Sequence, residues 1–165
     1  MRHWGDAPMS IDVRRAEMRD IDVVVTMVGE LLHEIMHAVD RVEFHFDRDD
    51  ARTQLAQILD DGRYFVLVAV AAATGPVGFV SMYEGFALYT EGRFGTMSEF
   101  YVLPEHRSQG VGRRLADAAK AFAAARGWRR LEVTTPPLPA FERTLAFYER
   151  EGFATTGGRK LKFLL

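Results

Sequence analysis

Two short stretches hold residue types able to do chemistry. The first is RSQGVG, Arg107 to Gly112, which separates an apolar run from an amphipathic one. Gly110 and Gly112 permit a tight turn, and without a Cβ they let a ligand come close to the backbone. The apolar spacing that follows predicts a helix starting at once, and the first turn of a helix has unpaired N–H groups at the positive end of its dipole. Such an end suits a phosphate or diphosphate, so the implied ligand is a phosphorylated cofactor. The pattern G-x-x-x-x-G-K-[ST] is absent, and G-x-G-x-x-G fails because position 115 is Leu. The alternative is that the two glycines only allow a strand to turn into a helix.

The second stretch is HEIMH, His33 to His37, which matches the zinc-peptidase pattern H-E-x-x-H. A helix turns about 100° per residue, and Val24, Met27, Val28, Leu31 and Ile35 then define its buried stripe. His33 and His37 fall roughly 180° and 220° from the centre of that stripe, pointing away from the core. A catalytic zinc needs a third ligand and a walled cleft. The extended pattern with a third histidine fails, since positions 40 and 43 are Asp and Glu, and nothing in the spacing of Glu43, His45 and Asp47 demands a metal. A polar helix face is the simpler reading. Glu30, Glu34, His37, Asp40 and Glu43 could also line the rim of a substrate site.

The elements that position these stretches can be read in order. Ile11 to Ala16 reads as a strand, and Asp20 caps a helix running to about Val39. Asp47 or Asp49 caps a second helix ending near Gly62. Tyr64 to Ala71 is an apolar, valine-rich strand of the kind covered on both faces. A turn at Thr74 to Pro76 leads into a strand from Val77 to Tyr83, a loop of about a dozen residues, and a strand from Thr96 to Leu103. Val111, Leu115, Ala118, Ala119 and Phe122 form the stripe of a helix stopped by Gly127. Arg129 to Thr135 is a strand closed by two prolines, and Phe141, Leu145 and Tyr148 share one side of a last helix ended by Gly152. After a Gly157-Gly158 turn, Leu161 and Phe163 alternate with Lys160 and Lys162 as in a final strand. Strands and helices mixed in this way imply a layered α/β (α+β) sheet with helices on both faces.

The totals narrow the function further. The chain has 165 residues, 48% hydrophobic and 27% charged, which suits one soluble domain. Its net charge of -2 gives no overall positive field for nucleic acid or an anionic membrane. With no cysteine there is no disulfide, thiolate metal site or cysteine nucleophile. No signal-peptide core opens the chain, and the longest apolar run is about half the roughly 20 residues of a spanning helix, so a soluble cytoplasmic protein is expected.

Arg107 to Gly112 fits the Q/R-x-x-G-x-G/A signature, and with YVLPEH before it and LAFYEREGF (Leu145 to Phe153) after it the chain resembles the GNAT family of N-acetyltransferases. The opening IDVRRAEMRDID is similar to that family's first strand and helix start. The resemblance implies a tail at residues 1–9 and a single acetyltransferase domain at 10–165, with a mixed, mostly antiparallel sheet that splays between Thr96–Leu103 and Arg129–Thr135. Acetyl-CoA would lie in the opening as acyl donor, with no metal. Its pantetheine would pair with the backbone of Phe100, Tyr101, Val102 and Leu103. Its diphosphate would rest on the amides of Arg107, Ser108, Gln109, Gly110, Val111, Gly112 and Arg113.

The family's usual route is direct transfer to an amine, for which a proton acceptor is needed. The resemblance makes Glu99 the candidate base and Tyr148 the candidate acid for the departing thiolate. Plainer readings are a strand carboxylate beside an arginine and an aromatic packed on its helix stripe. Many relatives have Asn seven residues before the tyrosine, where this chain has Phe141. The acceptor would be a primary amine on a small molecule or peptide. Phe86, Leu88, Tyr89 and Phe94 either cover an apolar part of it or pack against a second subunit in a homodimer. The rival functions are a non-catalytic acyl-CoA-binding module and, more remotely, a zinc hydrolase using HEIMH.

Overall fold

The computed structural model describes residues 10–165, and the expected tail at residues 1–9 lies outside them. The chain separates into two compact units, one ending at Thr134 and the other comprising Thr135–Leu165. The first contains a sheet of five strands, β1 (Ile11–Arg15), β2 (Tyr64–Ala71), β3 (Gly75–Ala87), β4 (Gly92–Val102) and β5 (Leu131–Val133), lying in that order. The first four pair antiparallel, and β5 runs parallel to β4, which gives the mixed sheet expected. Among the described residues, three α-helices complete the unit: α1 (Ile21–Val39), α2 (Arg48–Ile58) and α3 (Val111–Ala125).

Side chains alternate across a strand, so each face of the sheet has its own core. Val66 and Val68 of β2, Phe79 of β3 and Tyr101 of β4 pack with Val24 and Met27 of α1 and Leu55 of α2. On the other face Phe65 meets Phe122 of α3, their ring centroids 4.8 Å apart. Burial on both faces is why β2 carries almost no polar residue.

Local chemistry sets the element ends. Asp47 Oδ1 accepts the Asp50 N–H at 2.9 Å, capping α2. Asp20 occupies the corresponding position of α1 but its carboxylate turns elsewhere. It accepts the Glu17 N–H at 2.7 Å and a two-pronged pair from Arg14 at 2.7 and 3.0 Å.

Two expectations are corrected. The stretch read as a loop, Glu84 to Thr96, is the end of a long hairpin, in which Tyr83 faces Thr96, Phe86 faces Arg93, and one helical turn at Leu88–Thr90 forms the tip. Gly85 and Gly95 lie within its paired strands. Each sits under an aromatic ring: a Cβ on Gly85 would lie 2.7 Å from Phe94, and one on Gly95 2.2 Å from Trp128. The second correction concerns the tail, where the expected strand around Leu161 and Phe163 does not form and both side chains are exposed. The unit Thr135–Leu165 has one helix, α4 (Glu142–Arg150), and among its residues no strand with which the tail could pair.

Candidate active site

β5 pairs with β4 only along Gly95, Thr96 and Met97. Beyond Met97, β4 continues on β3 alone, so its other edge is without a partner strand among the described residues. This is the splay expected of the sheet. Leu103 N–H donates to Val77 O at 2.9 Å, and antiparallel alternation then directs the backbone groups of Tyr101 towards β3 as well. Of the four residues expected to offer backbone to a ligand, Phe100 and Val102 face the open edge. Tyr101 and Leu103 do not.

A single helical turn at Pro104–His106 follows β4 and leads into the glycine turn. Gly110 has φ 83°, a left-handed conformation that glycine adopts without penalty, and Val111 starts α3 directly after it. The N–H groups of Ser108, Gln109, Gly110, Val111, Gly112 and Arg113 donate to no acceptor among the described residues. Six successive amides at the start of a 15-residue helix make a ready cradle for a diphosphate. Arg107 is not part of it. Its N–H donates to Pro104 O at 3.2 Å, and its guanidinium holds Val102 O at 2.9 Å and both oxygens of Glu34 at 3.0 and 2.7 Å. The same guanidinium lies 5.2 Å from the centre of the Tyr101 ring. Arg107 therefore ties α1 to β4 ahead of the amide run.

HEIMH is a helix face. His33 and His37 are exposed and stacked on each other, and the Glu34 between them belongs to Arg107. No group of three His, Asp or Glu is arranged for a metal among the described residues. Burial, with the charges of Glu30 and Glu34, pushes the Tyr101 hydroxyl up to about 12.

Glu99 has a structured surrounding. The register passes from Met82 opposite Met97 to Ser81 opposite Glu99, so Ser98 is an extra residue, a β-bulge. Glu99 and Ser98 both come to lie beside Ser81 as a result. Tyr64 donates to Glu99 Oε2 at 2.9 Å and Ser81 Oγ donates to the same oxygen. Ser81 Oγ accepts the Glu99 N–H at 3.1 Å and lies 3.0 Å from Ser98 Oγ. Sequence reasoning missed Tyr64, Ser81 and Ser98. The one available signal was Ser81, a lone hydroxyl inside an apolar strand, here 1% exposed.

In the second unit, Tyr148 lies on α4 with Phe147 and Phe153, whose ring centroids are 5.3 and 5.6 Å away. Burial raises its phenol above the ordinary value, which makes it a weaker proton donor than a free tyrosine. Phe141 stands at the N-cap of α4 and has no side-chain oxygen to cap it.

The sequence pattern of the acetyltransferase (GNAT) family matches residues 29–153. An uncharacterized N-acetyltransferase, YhfO of Bacillus subtilis, is 29% identical over 93 residues, a stretch covering 56% of this chain and 61% of that protein. Among solved structures, an integron cassette protein, HFX_CASS3, from a salt-marsh metagenome superposes with TM-score 0.75 and 25% identity, covering 93% of this chain and 90% of the other. An aminoglycoside acetyltransferase, meta-AAC0020, from an uncultured soil sample, solved with sisomicin, has TM-score 0.71 and 17% identity over 94% of this chain and 96% of its own.

Proposed function

Since this chain belongs to the GNAT family of acetyltransferases, we propose that it moves the acetyl group of acetyl-CoA directly to a primary amine. The observation that carries this reading is the run of six amides from Ser108 to Arg113 next to the open edge of β4. The family match runs through both compact units, which supports reading them as one catalytic domain. Acetyl-CoA, when bound, supplies an acyl group activated as a thioester.

The residues then divide the work. The Ser108 to Arg113 amides hold the diphosphate with the positive end of α3 behind them. The β4 edge at Phe100 and Val102 receives the pantetheine as a neighbouring strand would, with the Val102 N–H as donor, since the Val102 oxygen is held by Arg107. Glu99 takes the proton that an ammonium must lose before its nitrogen can attack, and Tyr148 gives one to the departing sulfur. Glu30 and Asp40, on α1 and at its end, favour a cationic acceptor, while Glu43 is paired with Arg41.

Calorimetry with acetyl-CoA, followed by thiol release against a panel of amines, tests the proposal. Absence of binding would remove it, and binding without release for any amine would favour an acyl-CoA-binding module. Glu99→Gln is expected to cut kcat about 100-fold or more, leave acetyl-CoA affinity near wild type, and abolish the acidic limb of the pH-rate profile. For Tyr148→Phe the expected result is a fall of about 10-fold in kcat with unchanged affinity. A wild-type rate would take the tyrosine out of the chemistry.

A further inference from the structure

Two hydroxyls bond Glu99 and a third bonds one of them, from three strands in all, and the roles given above use none of them. Tyr64 of β2 and Ser81 of β3 both donate to Glu99 Oε2, and Ser98 of β4 lies 3.0 Å from Ser81. A serine hydroxyl has one proton and two lone pairs. With the Ser81 proton directed at Glu99, Ser98 must be the donor in the contact between the two serines. The oxygens thus form a chain with one direction, Ser98 to Ser81 to Glu99. Ser81 in the middle is 1% exposed and Glu99 is half-buried, while Ser98 is exposed to solvent.

We infer that Ser81 and Ser98 are the route by which Glu99 returns its proton to solvent, a conclusion that rests on reading Glu99 as the base. The hydroxyls of Ser98 and Ser81 first turn, towards water and towards Ser98, which frees Glu99 Oε2 to take the proton of the acceptor amine and to donate it, as a carboxyl O–H, to Ser81. Ser81 accepts that proton and passes its own to Ser98, and Ser98 passes its own to water. Each hydroxyl gains one proton and loses one, no electrons are transferred, and Glu99 is again a carboxylate. Tyr64 is a positioning residue: burial and the neighbouring Glu99 raise its phenol, so it keeps its proton and fixes Oε2 towards Ser81.

The β-bulge is what makes the route continuous. In a regular strand Ser98 and Glu99 would lie on opposite faces of the sheet, and the exposed hydroxyl could not reach Ser81.

The test uses Ser81→Ala and Ser98→Val in the thiol-release assay, in water and in deuterium oxide, with and without imidazole or formate. In both variants kcat should fall on the order of 10-fold while the calorimetric affinity for acetyl-CoA stays at the wild-type value. The solvent isotope effect on kcat should rise. Added buffer should restore the rate of Ser81→Ala by carrying the proton itself. Wild-type rates and isotope effects in both variants would overturn the inference, as would a lost rate that no buffer restores. Should Ser81→Ala not fold, Ser98→Val, altered at an exposed strand position, decides by the same isotope effect. A Glu99→Gln protein that keeps full activity defeats the base reading itself. A slow Glu99→Gln beside unaffected serine variants defeats only the outlet.

Discussion

At the scale of single residues, Arg14 and Asp20 form a two-pronged ion pair with a buried carboxylate, and its consequence is a pH dependence. The Asp20 side chain is 4% exposed, and the Arg14 guanidinium, together with the Glu17 N–H, holds its carboxyl below the usual carboxylate range. A depressed acid stabilises the fold fully above its unfolded pKa of about 4 and ceases to do so as the pH falls through its lower folded value. Asp20→Ala should cost about 3 kcal/mol at neutral pH, because it leaves the guanidinium without its partner. Denaturant melts between pH 7 and pH 2 should show the variant losing less stability in acid than the wild type does. Equal slopes would mean that Asp20 is not linked to folding. Asp20 shows what a sequence can hide: its position at the head of α1 was readable, but its carboxylate closes a capping box with Glu17 one turn earlier and pairs with Arg14 instead of capping α1.

Among elements, the hairpin of β3 and β4 decides where the sheet opens. Gly95 lies where β4 touches β5, and the Trp128 ring fills the space a side chain would need. Trp128 is fixed in turn by its indole N–H donating to Glu84 at 2.6 Å. Gly95→Ala should therefore displace the ring and destabilise the fold by roughly 1–3 kcal/mol, with a change in tryptophan fluorescence. Unaltered fluorescence and stability would show that the ring can move aside freely. Most elements were legible because their periods are strong: β2 and the stripe of α3 lie where their apolar residues put them. The glycine turn was legible for the same kind of reason, since only an unusual backbone requires that composition. The hairpin tip was not, because a glycine under a ring and a glycine in a loop look alike until the ring is located. Nor was the surrounding of Glu99, where strict alternation groups Met97, Glu99 and Tyr101 on one face and the register separates Met97 from the other two.

For the molecule as a whole, burial is uneven along the chain. Leu161, Phe163, Leu164 and Leu165 are at least 79% exposed and belong to no helix or strand. Deleting residues 159–165 should leave the melting temperature unchanged and reduce self-association, since an exposed apolar segment promotes contact between molecules. Light scattering and a thermal melt read both outcomes, and a lower melting temperature would show that the tail contributes to the fold. Among the described residues no helix is long and apolar enough to cross a membrane. One small irregularity has the widest reach. Met97 and Tyr101, 3% and 5% exposed, fill cores on opposite sides of the sheet although an even number of steps separates them, and the supernumerary Ser98 reconciles the two. Parity thus protects the carboxylate: a chain lacking position 98 would have to evict one large side chain, Met97 or Tyr101, from its layer.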